Sequence, residues 1–100
     1  MNPVSDFPWE YAHVAADALI RTGQGVLHTI VVNGLTTAGD ATIYDNTAEA
    51  GVAIIGILHL DPTTSVSVQP ITFLYDVEFK TGLYIGFDGT LVADLTVSYK

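Results

Sequence analysis

Hydrophobic positions in this chain recur at every second residue over most of its segments, the period of a strand with one face turned to a core. The clearest alternation sets Ile71, Phe73, Tyr75, Val77 and Phe79 on one face and Thr72, Leu74, Asp76 and Glu78 on the other. Leu91, Ala93, Leu95, Val97 and Tyr99 repeat it near the end, Ala41 and Ile43 give a shorter version, and Leu83 with Ile85 starts a further strand. Two tracts are apolar on both faces. Within Gly23 to Gly34, Val26, His28, Ile30 and Val32 point one way and Leu27, Thr29 and Val31 the other. Within Val52 to Leu60, Val52, Ile54 and Leu58 oppose Ala53, Ile55 and Ile57, and Gly56 signals a bulge or a close backbone approach. A strand of this kind needs cover on both faces: the second layer of a sandwich on one, a flanking segment or another copy of the protein on the other.

Turn chemistry separates these tracts at Asn33-Gly34, Thr37 to Asp40, Asp61 to Ser65, Lys80-Thr81-Gly82 and Asp88-Gly89, and Asp45 to Gly51 reads as a polar loop. Val66 and Val68 suggest a short edge strand ended by Pro70. Tyr11 to Thr22 fits two patterns. Tyr11, Val14, Ala15, Ala18 and Leu19 match a helical stripe between Asp6 and Gly23, while Leu19 and Arg21 alternate with Ala18, Ile20 and Thr22. The direct run into the following strand favours two short strands. Residues 1–10, with Pro3 and Pro8 among Phe7 and Trp9, form a non-sheet N-terminal arm, since proline removes backbone donors. Residues 11–100 form one domain. The expectation is all-β: a single β-sandwich, jelly-roll-like, of about eight short strands, whose core includes Ile30, Val32, Ile54, Leu58, Phe73, Tyr75, Leu95 and Val97.

Composition changes this picture in one respect. Hydrophobic residues make up 49% and charged residues only 14% of the 100 residues, too few charges for the wet surface of a small monomer, so an assembly is expected to hide part of it. The net charge of -8, with Arg21, Lys80 and Lys100 the only basic residues, excludes direct nucleic-acid binding through a basic patch. No membrane partner is expected, because the longest apolar run is about half the length needed for a helical span. The start also lacks the basic region of an export signal. With no cysteine there is no disulfide frame, thiolate metal site or cysteine nucleophile.

Candidate chemistry is sparse. His13, His28 and His59 lack any spacing that brings two onto one metal, and His28 and His59 read as hydrogen-bonded interior or interface side chains. Asp40, Asp45 and Glu49 match no calcium motif, and Asp45 and Asn46 are expected to make side-chain to backbone turn bonds. Asp76 and Glu78 are expected to guard a strand from edge pairing rather than to form a hydrolase pair. No nucleophile elbow or phosphate loop occurs, so neither an enzyme nor a cofactor is expected.

Thr22 to Asn33, Ala41 to Thr47, Tyr75 to Leu83 and Ala93 to Tyr99 resemble small virion structural proteins of tailed bacteriophages. The resemblance implies a capsid decoration or cement protein made in the host cytoplasm and carried on the capsid exterior. Its partners there would be itself and the major capsid protein. The doubly apolar strands separately lead to the expectation of a homo-oligomer, a homotrimer ahead of a dimer. A tail, collar or head-fibre component is the near alternative. A carbohydrate-binding adhesin module with Tyr44, Tyr84 or Trp9 as stacking groups is the distant one. The residues expected to meet the partner are Phe7, Pro8 and Trp9 of the arm and the adjoining Tyr11; the arm is suited to strapping neighbouring subunits, and the alternative is that its aromatic residues cover one end of their own core.

Overall fold

The computed structural model describes residues 9–49, 53–61 and 71–100. It is all-β, with eight strands: β1 (Glu10–Val14), β2 (Ala18–Thr22), β3 (Gly25–Thr37), β4 (Gly39–Tyr44), β5 (Ile54–Leu60), β6 (Ile71–Phe79), β7 (Gly82–Phe87) and β8 (Val92–Tyr99). They form two four-stranded sheets, sheet A in the order β1-β8-β3-β6 and sheet B in the order β2-β7-β4-β5. Every pairing is antiparallel.

The topology follows one rule. β1 pairs β8, β2 pairs β7, β3 pairs β6 and β4 pairs β5, so the strand numbers of each pair sum to nine. The described strands form one long hairpin with the β4·β5 pair at its tip, and its paired legs alternate between the two sheets. The β3·β8 and β4·β7 pairings then close each sheet. This is the jelly-roll arrangement expected from the spacing of strands and turns. The ambiguous segment forms β1 and β2, paired to β8 and β7. The glycine that follows, Gly23, turns into β3 with φ of 94°, a conformation open to glycine and costly for other residues.

The inward faces meet in a core whose largest fully buried members are Leu27, Ile30, Val32, Ile43, Phe79, Leu83, Ile85, Leu95 and Val97. Leu58 is also buried, and Phe73 and Tyr75 pack against this cluster from the edge strand β6. Gly56 permits one of these contacts: a Cβ there would stand 3.0 Å from the Tyr75 hydroxyl. Burial pushes the Tyr75 phenol up from its ordinary value. No polar or charged residue is buried among the described residues.

Several expectations are corrected. β3 runs through Asn33-Gly34 rather than turning there, because Asn33 is tied to its neighbour β8 by bonds from Nδ2 to Asp94 Oδ1 (3.3 Å) and Thr96 Oγ1 (2.9 Å). The inward residues of β3 are Leu27, Ile30, Val32 and Leu35, not a series through Val26 and His28. The phase changes where Leu27 pairs with Val77 and Thr29 with Leu74, leaving His28 opposite the bulged Tyr75 and Asp76. β5 has a similar break. Tyr44 pairs with Ile54 and Ile43 with Gly56, skipping Ile55, so Ile55 packs on the core while Ile54 is 45% exposed. Ile54 is therefore not a core residue. The expected start of this tract at Val52 and the strand at Val66 and Val68 lie outside the described residues.

Candidate functional site

The outer face of sheet B carries a hydrophobic row that the register assembles from four separate stretches of chain. Leu19 of β2 pairs with Tyr84 of β7, Tyr84 with Tyr44 of β4, and Tyr44 with Ile54 of β5. Directly paired residues share a face, so Leu19, Tyr84, Tyr44 and Ile54 cross the whole sheet on its outside. Leu19 is 46% exposed and the two phenol rings meet edge to face, with centroids 6.2 Å apart. Ile57, 43% exposed, lies outward beside the row on β5. The Glu49 side chain lies over Gly86, and its carboxylate with that of Asp17 borders Tyr84. Burial first, then Asp17, Glu49 and Tyr44, push the Tyr84 phenol up. The site is thus an apolar strip with an acidic margin.

The outer face of sheet A exposes Tyr11, Leu74 and Val92 on three separate strands and also carries a polar network. His13 of β1 donates from Nε2 to Asp94 Oδ1 of β8, the same oxygen that Asn33 of β3 approaches, so three adjacent strands share one network. One step along, His28 donates from Nδ1 to Asp76 Oδ1, and the Trp9 indole stacks on the His28 ring at 4.1 Å between centroids and 5° between planes. Asp76 sits in the bulge with φ of 50°. The third histidine, His59 of β5, donates to Asp40 of β4 at 2.8 Å. The three histidines therefore stay apart, each with its own aspartate. His28 is half-buried, and His59, 75% exposed, is a surface side chain and not an interior one.

Loop carboxylates are engaged by the backbone. Asp45 accepts from the amides of Lys80 (2.9 Å) and Thr81 (2.8 Å) and more weakly from Gly82, holding the β6–β7 turn against the end of β4. Asn46 accepts from Thr47 N, as its sequence context suggested. Burial works against the charged form of Asp45, but the three amides and the Lys80 ammonium outweigh it and hold the carboxyl below its ordinary value. Asp88 is likewise held down by the backbone and side chain of Thr90. A shallow depression of about 410 Å³ opens beside the β1–β2 turn, lined by Ala15, Ala16, Asp17, Phe87 and Leu91 among others. The Asp17 carboxylate there accepts from Phe87 N at 2.7 Å.

Of the residues expected to meet a partner, Trp9 is stacked on its own sheet and Tyr11 is 76% exposed on β1. Phe7 and Pro8 lie outside the described residues. Asp76 and Glu78 do lie on an edge strand, as expected. Comparison of the chain with protein-family models, with curated proteins and with solved structures finds no match.

Proposed function

We propose that this protein is a non-enzymatic structural component of a tailed-phage virion, a capsid decoration protein that binds the head exterior and stabilises contacts between major capsid proteins. The observation that carries the reading is the apolar row Leu19–Tyr84–Tyr44–Ile54 with Ile57. Interface centres are enriched in aromatic residues and depleted of charge, and tyrosine brings contact area at small conformational cost. A rigid row crossing four strands suits a docking face for a larger protein. The jelly-roll arrangement, itself common among capsid components, and the resemblance of four segments to phage structural proteins support the same reading. An acidic surface belongs outside the shell, away from packaged DNA.

Tyr11 stands exposed on the outer face of sheet A, the side of the sandwich opposite the row, and there gives a contact to a neighbouring subunit, with Trp9 held close by on His28. Reconstruction of the virion tests the assignment. Density on the capsid lattice supports decoration, whereas density confined to tail or collar replaces it with the alternative. Tyr44→Ala combined with Tyr84→Ala should lower occupancy on heads at least tenfold, the loss of about 1.4 kcal/mol or more of docking energy.

A further inference from the structure

Among the described residues the two sheets end in four edge strands, and these are guarded unequally. β1 carries Glu10, β2 carries Arg21, and β6 carries Asp76 and Glu78 together with the bulge at Asp76. Charges and backbone irregularity are the means by which proteins keep an edge from pairing with another chain. β5 is different. Its sequence Ile-Ile-Gly-Ile-Leu-His-Leu holds no charged residue and no proline, and Ile54 and Ile57 stand exposed on it. Its one irregularity, at Ile55, leaves the stretch from Gly56 to Leu60 in regular register with β4.

An unguarded apolar edge in a chain of net charge -8 narrows the choice of occupant. Like charges brought face to face drive two copies apart, and β5 is the edge strand, among those described, that carries no charge of either sign: β1 would oppose Glu10, β2 Arg21, and β6 Asp76 and Glu78. A twofold contact further requires a self-complementary patch. Gly56 to Leu60 supplies one. Leu58 and Leu60 are buried on the inner face and Ile57 and His59 are exposed on the outer, a pattern symmetric about Leu58.

We propose that β5 is a self-pairing edge, adding antiparallel to β5 of a second copy about a twofold axis at Leu58. Leu58 then lies opposite its own copy, Ile57 opposite His59 and Gly56 opposite Leu60. Inward residues meet inward and outward meet outward, while a slip of one residue mixes them. The two sheets B become one sheet of eight strands, and the apolar rows of both copies lie on one continuous outer face. The inference rests on the chemistry of the edge and holds wherever the protein acts.

Sedimentation of the full chain tests it. The unaltered protein should show twice its 10.7 kDa mass at micromolar concentration. Ile57→Lys, which places a guarding charge on an exposed position, should return it to a monomer with unchanged far-UV circular dichroism. Since the chain has no cysteine, the register can be read by introduced thiols. Ile57→Cys with His59→Cys puts thiols directly opposite one another across the axis, within bridging distance, and should oxidise to a covalent dimer. Ile57→Cys alone leaves the two thiols diagonal and beyond disulfide reach, so it should not cross-link. A monomeric unaltered protein, a mass that Ile57→Lys leaves unchanged, or cross-linking by the single variant as readily as by the pair overturns the proposal.

Discussion

Asp76 holds φ of 50° at the β6 bulge, a left-handed backbone costing about 1–2 kcal/mol for most residues and less for glycine, asparagine and aspartate. Its carboxylate accepts from His28, which in turn carries the Trp9 ring. Backbone and side chain can be separated by substitution. Asp76→Ala loses the carboxylate and meets the left-handed penalty, whereas Asp76→Gly loses the carboxylate alone. Urea unfolding should therefore find the alanine variant less stable than the glycine variant by about 1 kcal/mol. Trp9 is the single tryptophan, so its fluorescence reports the stack directly. His28→Ala should make Trp9 more accessible to acrylamide without unfolding the domain, and unchanged quenching would show that the stack does not persist in solution. Asp45 supplies a pH dependence. Its folded-state pKa lies below the ordinary value of 3.8, so its contribution is complete above that value. It is lost as pH falls through the depressed folded value, because below it both states are protonated. Acid titration should lower stability through this range, and Asp45→Asn should flatten that limb while costing about 1 kcal/mol at neutral pH.

Bulges decide the difference between what the element pattern promised and what the strands do. Ile30 and Ile54 both sit in tracts apolar on each face, yet Ile30 is fully buried and Ile54 is 45% exposed. Ile30→Ala should cost about 2–5 kcal/mol and Ile54→Ala less than about 1 kcal/mol, measured by denaturant midpoint at constant slope. Strand periods were legible because alternation at Phe73, Tyr75 and Val77 or at Leu95 and Val97 is local. The side on which Ile54 emerges was not, because it depends on Tyr44 pairing with Ile54 while Ile43 pairs with Gly56. The same limit hid the apolar row. Tyr44 and Tyr84 stand out in the sequence as aromatic residues near turns, but Leu19 and Ile54 join them only through register across four strands. The histidines show a related effect. His13–Asp94, His28–Asp76 and His59–Asp40 each fasten an edge strand to its inner neighbour, β1 to β8, β6 to β3 and β5 to β4. Residues 19 apart in one case and 81 in another carry no sequence signal of their pairing. Exposed partners limit the energy involved, and a double-mutant cycle on His59 and Asp40 should give a coupling of roughly 0.5 kcal/mol.

The nested pairing governs how the whole molecule forms. β4 and β5 close the innermost pair, and each outer pair requires the one inside it to bring its legs together, so loop-closure entropy favours assembly from the tip outward. Conservative substitutions on β4, such as Thr42→Ser, should slow folding, with φ of about 0.5 or more where the stability change is large enough to read. Val14→Ala on β1 should instead speed unfolding. The outermost pair has a further consequence, in the response to mechanical load. Glu10 lies beside Tyr99 and Val14 beside Leu95, so a pull applied at Glu10 against Tyr99 opens the β1·β8 ladder one pair at a time. A pull at Glu10 against Gly89, beyond the other end of β8, drags β1 lengthwise and loads all five pairs together. Force spectroscopy on the two attachment geometries should find the second rupturing at distinctly higher force. A molecule that resists tension through its N-terminal strand therefore has to be gripped at the β7–β8 end, the direction in which its outermost ladder is strong.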